Sequence, residues 1–174
     1  MALTKLNFTG QPTLPSASMP TGSIIHTVSN TFTGLDTFNN ETVDLGLSCA
    51  IIPKESNSLL MITASIFYSV NSNTTFAFIT DSSNNMIQQP PAFGSRSRSH
   101  FGTHYGSSSF MTYNTMRSSH TVFTTHTGTS SQTFKVRVTA DANSTFCVNR
   151  NVYNNDRFSD PVGICTMIIQ EIKQ

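Results

Sequence analysis

Residues 59–70 decide the fold, and they read Leu-Leu-Met-Ile-Thr-Ala-Ser-Ile-Phe-Tyr-Ser-Val. Every second position is apolar, which is the two-residue period of a β-strand and not the 3.6-residue period of a helix. The in-phase residues are Leu60, Ile62, Ala64, Ile66, Tyr68 and Val70. The other phase carries Leu59, Met61 and Phe67. We therefore predict a long strand that is covered on both sides for part of its length.

The same alternation recurs on both sides of this stretch. Residues 42–52 place Val43, Leu45, Leu47, Cys49 and Ile51 on one face. Residues 163–172 are apolar on both faces, which predicts a strand in the middle of its sheet. Polar turns separate these runs. The full set of predicted strands is 23–32, 42–52, 59–70, 74–81, a short one at 86–89, one or two within 110–125, 133–139, 144–149 and 163–172.

The composition agrees with an all-β protein and excludes several classes. The chain has 174 residues, and charged residues make up 11% of it, against roughly 25% in an average soluble domain. Thr, Ser and Asn, at 25, 24 and 15 residues, replace them. A net charge of +1 gives no electrostatic footprint for nucleic acid. No apolar run approaches the roughly 20 residues of a membrane helix, and residues 1–10 lack the apolar core of a secretory signal.

These patterns predict an antiparallel β-sandwich or jelly roll over residues 23–174, with no helix. Residues 1–22 precede it as an extended arm, because Pro12, Pro15 and Pro20 prevent a continuous helix or a central strand. Apolar residues near the start of the arm indicate that it docks on a neighbouring surface. With few charges to guard the sheet edges, we expect those edges to be buried between subunits.

The three cysteines, Cys49, Cys147 and Cys165, each lie in an apolar, strand-like run. They are too few and too scattered for a disulfide framework, so we predict buried free thiols. One disulfide with one remaining thiol is the alternative.

Five blocks of the sequence, in order, resemble structural proteins of tailed bacteriophages, notably virion proteins of cyanophages and other marine phages. The blocks are Pro20-Thr21-Gly22-Ser23-Ile24-Ile25-His26-Thr27-Val28, Val43-Asp44-Leu45-Gly46-Leu47-Ser48 with the following Ile51-Ile52-Pro53, Thr133-Phe134-Lys135-Val136-Arg137, Phe146-Cys147-Val148-Asn149-Arg150, and Thr166-Met167-Ile168-Ile169-Gln170-Glu171-Ile172. The resemblance runs from about Pro20 to Ile172, which is nearly the whole length of the chain.

The resemblance implies a β-sandwich module of the virion surface that is often trimeric. We therefore expect a non-enzymatic structural protein, on the tail or fibre or decorating the capsid, which forms a homotrimer and docks on other virion proteins through its arm. Only about 22 residues precede the module, so we expect a short tail or fibre-tip component or a capsid decoration. No cofactor, nucleic acid or inserted membrane is expected as a partner.

Catalytic and metal chemistry find little support in the sequence. There is no Gly-x-Ser-x-Gly elbow, and turn chemistry explains most of the nine acidic residues without a glycosidase pair. His100 and His104 are four residues apart, with His120 and His126 further along. In a loop or strand that spacing predicts solvated histidines, and a metal site between subunits is the alternative.

Residues 93–109 form the longest stretch without clean periodicity, and residues 96–105 within it are the candidate recognition loop. It combines planar donors with aromatic faces, and loops on a rigid scaffold commonly carry binding. Arginine forks suit the carboxylates or phosphates of surface polysaccharide. The candidate residues for glycan or partner binding are Arg96, Arg98, His100, His104 and Tyr105. They support the alternative function of a tail-tip adhesin for host surface glycan, whereas an ordinary structural loop is the competing interpretation.

Overall fold

The computed structural model describes residues 15–71, 73–105, 115–141, 144–153 and 160–174, with backbone alone at 73, 74 and 103–105. A 3₁₀ helix at Ser16–Ser18 is followed by ten β-strands, and the described residues contain no α-helix. The strands are β1 Ile24–Phe32, β2 Thr37–Asn39, β3 Thr42–Ile51, β4 Ser58–Asn71, β5 Asn73–Asp81, β6 Phe101–Tyr105, β7 Met116–His126, β8 Gln132–Ala140, β9 Thr145–Val148 and β10 Cys165–Ile172.

The strands form two antiparallel sheets. The first has the order β1-β10-β4-β9-β2, with β7 on the other edge of β4, and the second has the order β3-β8-β5-β6. Strands β9 and β10 share one edge of β4, and β2 pairs with β9 as β1 pairs with β10. Strand β9 therefore lies in line with β10, and β2 lies in line with β1. Each sheet is thus four strands wide. The chain crosses repeatedly between the sheets, which is the connectivity of a jelly roll. The predicted fold class is confirmed.

The core lies between the two sheets and is built by the alternating residues that the sequence predicts. All six in-phase residues of β4 are at most 3% exposed. Leu45, Leu47 and Ile51 of β3 face them from the second sheet and are at most 1% exposed. Each such aliphatic side chain contributes about 1.5–3 kcal/mol on burial. The core therefore joins the sheets without help from a disulfide, and the three cysteines are free and buried, as predicted.

Strands β9 and β10 pair with different parts of the same edge of β4, and Asn149 follows the end of β9 at the gap between them. Its backbone φ is +59°, in the left-handed region that asparagine tolerates better than most residues. Its N–H donates to the Phe67 carbonyl at 2.8 Å, and its own carbonyl accepts from the Gly163 N–H at 3.0 Å. Asn149 therefore bridges the break between the two short strands.

The Asn149 side chain, which is fully buried, adds a second set of bonds. Its Nδ2 donates to the carbonyls of Phe32 and Gly34 at 2.9 and 3.0 Å. Its Oδ1 accepts from the Cys165 Sγ at 3.1 Å. This one amide therefore ties the ends of β1 and β10 to the junction.

Two positions need glycine because an aromatic ring from a strand of the first sheet lies against the backbone there. At Gly46, where φ is +97°, an added Cβ would lie 2.5 Å from the Phe32 ring. At Gly163 an added Cβ would lie 2.3 Å from the Phe67 ring. The β3–β8 register shifts between Asp44 and Ser48, so Gly46 sits in an irregularity that lets the ring approach the backbone.

Some sequence predictions need correction or lie outside the described residues. The strand predicted at 86–89 is wrong, since only an isolated bridge joins Met86 to Thr80. The short strands β2 and β6 were not predicted, because three- and five-residue strands carry too little periodicity. Residues 1–14 of the predicted arm and 110–114 of the predicted strand region lie outside the described residues.

The described part of the arm lies beside the end of β10. The Gly22 N–H donates to the Lys173 carbonyl at 2.8 Å, and the Lys173 N–H donates to the Ser23 carbonyl at 2.9 Å. The Lys173 Nζ donates to the carbonyls of Ser16 and Ala17 at 3.0 and 2.8 Å. In the part of the chain that the structure describes, no helix has the length and apolarity to cross a membrane.

The junction gives a stability prediction. We expect Asn149→Ala to lower the free energy of unfolding by about 2–4 kcal/mol, because it leaves two partly buried carbonyls and the buried Cys165 thiol without their partner. Asn84→Ala is the matched control, since Asn84 also has a positive φ, of +70°, but is exposed. Urea unfolding of both variants measures the difference, and equal losses would show that the buried amide bonds are unimportant.

Candidate functional site

The β5–β6 connection, residues 82–100, carries most of the predicted recognition residues. Arg96 and Arg98 are exposed. The Arg96 guanidinium lies 4.7 Å from the centroid of the Phe93 ring, and Phe93 is 69% exposed. A cation stacked on an exposed aromatic ring presents a flat, cationic surface to solvent. Sequence reasoning did not include Phe93, although it stands at the start of the same aperiodic stretch.

His100 is turned towards the sandwich. Its N–H donates to the Ala77 carbonyl at 3.2 Å, and its Nδ1 accepts from the Ile79 N–H at 3.0 Å. Its ring stacks on His120 of β7, with centroids 4.9 Å apart. His100 therefore continues the pairing of β5 beyond the end of β6 and bridges the two sheets. The expectation of a solvated loop histidine is wrong for this residue, because its ring is half-buried and bonded to the backbone.

The remaining two predicted residues belong to β6. The backbones of His104 and Tyr105 pair with Thr74 and Asn73 of β5, and their side chains lie outside the described residues. The structure therefore brings Arg96 and Arg98 together on the exposed loop and assigns His100 to a packing role. The binding role of the set stays a prediction.

The protonation of His100 is coupled to its burial. Burial lowers the pKa of this imidazole below its ordinary value, and the nearby His120 lowers it further. The carbonyls of Gln88 and Ile87 act in the opposite direction. A neutral ring also suits the geometry, because Nδ1 must keep its lone pair to accept from the Ile79 N–H.

An open polar cleft of about 640 Å³ adjoins the loop. Ser97, between the two exposed arginines, lines it together with the half-buried Phe76 ring. Glu41 and Asp141 also line it. A ring beside hydroxyl and carboxylate groups is a combination that can hold a sugar. The sequence could not indicate this cleft, because its residues come from four separate parts of the chain.

The outer face of the second sheet carries an ion-pair cluster. The Asp44 carboxylate accepts from the Lys135 Nζ at 2.8 Å and lies 3.0 Å from the Arg137 Nε. These two cations on β8 thus share one carboxylate on β3, and the cluster keeps a net charge of +1. A smaller cavity of about 290 Å³ lies beside Asp44 and Lys135.

The outer face of the first sheet has a different character. Its outward side chains come from alternate residues of four strands. They are Thr27, Ser29 and Thr31 of β1, Leu59, Met61, Thr63 and Ser65 of β4, Ser119, Thr121, Phe123 and Thr125 of β7, and Thr166, Ile168, Gln170 and Ile172 of β10. We call this set the uncharged face, because it contains only Thr, Ser, Gln and apolar residues. Arg117 stands at its border. The apolar members are Leu59, Met61, Phe123, Ile168 and Ile172.

Two of the five apolar residues of the uncharged face are exposed to solvent, and the other three are half-buried. Phe123 is 38% exposed and Ile168 is 40% exposed, and Ile164 next to the face is 45% exposed. Contiguous exposed apolar area in a soluble protein commonly marks an interaction surface. The alternation of β4 and β10 contained this signal, since both strands were predicted to be apolar on both faces.

Neither reactive thiols nor a metal cluster is found among the described residues. Burial raises the pKa of the Cys49 and Cys165 thiols, which keeps both protonated at neutral pH. Within residues 15–71, 73–105, 115–141, 144–153 and 160–174, no group of three or more His, Cys, Asp or Glu side chains is placed to hold a metal ion.

Comparison with known proteins adds no assignment: no protein-family model and no curated protein matches this sequence. The resemblance to phage virion proteins therefore stays a prediction from the sequence blocks.

The lowered pKa of His100 gives a prediction about pH. A histidine with a lowered pKa in the folded state contributes stability that is complete above its unfolded pKa of about 6.5. That contribution is lost as the pH falls through the folded-state value. We expect His100→Asn, which keeps an acceptor for the Ile79 N–H, to lose less stability than the wild type between about pH 7.5 and 5.

Urea unfolding of both proteins at several pH values measures this difference. Parallel losses in the two proteins would show that His100 does not contribute to the acid sensitivity. The range stops at about pH 5 because carboxylates titrate below it.

Proposed function

We propose that this chain is a non-enzymatic structural protein of a tailed-phage virion, placed on the tail, the fibre or the outer capsid surface. It acts by association, as a homotrimer that also contacts neighbouring virion proteins. The uncharged face is the observation that carries the proposal, because a broad exposed sheet surface without charges fits a protein contact. The five sequence blocks and the jelly-roll connectivity, an architecture that virus particles use widely, support it.

The energy of such association comes from apolar burial. At about 25 cal/mol per Å², even part of a sheet face supplies several kcal/mol before the cost of immobilisation is subtracted. Because the face has no charges, association through it should depend weakly on salt.

The arm is the proposed contact to other virion proteins. Its described end is held at the edge of the first sheet by Lys173, whose Nζ also lies 3.8 Å from the Glu55 carboxylate. This anchor fixes where the arm leaves the sandwich, next to β1 and β10. The arm and the uncharged face therefore both adjoin β1 and β10.

Immunogold labelling of purified phage particles tests the proposal. We expect an antibody raised against the purified chain to label the capsid or the tail at a regular position, while pre-immune serum leaves the particles bare. Gold on the capsid would make the chain a decoration protein, and gold on the tail or fibre would make it a tail component. Particles that carry the gene and are free of label would contradict the proposal.

A second candidate function is an adhesin for host surface glycan. The exposed Phe93, Arg96 and Arg98 beside the 640 Å³ cleft favour it, because guanidinium groups and aromatic faces suit acidic sugars. Unlike the structural role, the adhesin role requires that the purified chain alone binds a host glycan.

The adhesin gives a prediction for two arginines. We expect the double variant Arg96→Ala, Arg98→Ala to weaken binding to isolated host polysaccharide at least about tenfold, since each removes a charge-assisted contact. Lys54→Ala is the control, because Lys54 is an exposed cation remote in sequence from this loop. Titration calorimetry or glycan-array binding makes the comparison. Equal binding by wild type, control and double variant would remove the loop from the site.

A further inference from the structure

We propose that the uncharged face binds the same face of a second copy of this chain, so that two chains, or two trimers of it, pair about a twofold axis. The inference rests on the proposed function in that it names the surface and the partner of the association. The arguments for it are the residue composition of the uncharged face, the difference in charge between that face and the second sheet, and the area of the face.

The uncharged face is a regular grid across four strands. In its middle Thr63 and Thr121 face each other across β4 and β7, with their hydroxyl oxygens 2.8 Å apart. Ile168 lies beside Thr63 on the other edge of β4. Towards one end Met61 and Phe123 are directly paired. Apolar groups thus alternate with small hydroxyl groups over a surface that lacks long charged side chains.

Charge favours a copy of the same chain as the occupant. Identical surfaces repel when each carries the same charges, and the charged side chain beside this face, Arg117, stands at its border, where its guanidinium donates to the Ser65 Oγ at 3.2 Å. A hydroxyl both donates and accepts, so threonine and serine on one copy can satisfy those on another. The opposite sheet presents Asp44, Lys135 and Arg137, whose two positive charges and one negative charge leave a net charge of +1 that would repel an identical face.

The size of the face is sufficient for a specific contact. Four strands spaced about 4.8 Å apart span about 19 Å, and four outward levels along a strand span about 27 Å. The footprint is therefore about 500 Å² on each copy, or about 1,000 Å² for the pair. This total reaches the lower limit for a specific protein interface, about 1,000 Å². The neighbouring Ile164 enlarges the apolar part of that area.

Sedimentation velocity over a concentration series tests the proposal on the full chain. We expect the wild type to sediment above the monomer mass of 19.0 kDa. We expect Ile168→Lys to raise the self-dissociation constant at least about tenfold, because it places a charge in the contact. Ile52→Lys is the matched control, as Ile52 is 59% exposed, follows β3 of the other sheet and has the same chemistry. It should shift the constant less than about twofold.

Phe123→Lys is a second variant on the same face, in case Ile168→Lys does not fold, and circular dichroism with urea unfolding checks each variant. A benzophenone photo-crosslinker at Thr121 supplies a direct readout. It should yield a crosslinked dimer whose linked peptides come from β1, β4, β7 or β10, whereas the same group at Ile52 should not.

Three results would overturn the proposal. They are a wild type that stays monomeric up to about 1 mM, equal association of the Ile168→Lys and Ile52→Lys variants, or crosslinks from Thr121 to the opposite sheet alone. These results are separable from those on the proposed function. Unlabelled virions would reject the phage role and leave self-association standing, while a monomer that labels virions would reject this surface alone.

Discussion

The division of one edge of β4 between two strands is the constraint on which the first sheet depends. Strand β10 follows this edge for residues 59–65, and β9 takes it for residues 68–71. A break of this kind leaves backbone groups unpaired unless another group supplies the bonds. Asn149 supplies them from both its backbone and its amide, and so fixes the ends of β1, β4 and β10 relative to one another. The outer face of the same strands depends on that alignment.

The two outer faces of the sandwich differ in the chemistry of their exposed side chains. The second sheet holds a compact ion-pair cluster around Asp44, while the first sheet shows hydroxyl and apolar groups. The long β5–β6 connection closes one side of the sandwich between them. His100 stacks on His120, and the Gln88 Oε1 accepts from the Phe123 N–H at 2.8 Å, so this connection also covers part of the β7 edge. The exposed arginines of the connection are thus carried by a segment that is anchored at both sheets.

The sequence was sufficient to predict the fold class and most of the strands, because two-residue alternation survives in long strands such as β3, β4 and β10. It could not separate the inner from the outer face of β4 beyond the dominant phase, since Met61 and Phe67 are also apolar. The short strands β2 and β6 were not predicted, because three or five residues are too few to show a two-residue alternation. The candidate site was predictable only in part. Exposure of Arg96 and Arg98 follows from a polar loop, but the inward turn of His100 depends on the free Ile79 N–H at the end of the β5–β6 pairing.

The buried cysteines carry a consequence for the chemical durability of the domain. Cys49, Cys147 and Cys165 are unpaired and at most 6% exposed, and Cys165 also accepts the Phe67 N–H at 3.2 Å. A thiol that is shielded from solvent and held protonated is a poor target for oxidants and for disulfide exchange. The covalent structure of this domain is therefore the same in a reducing cytoplasm as in aerated water, and it needs no redox step to mature or to persist.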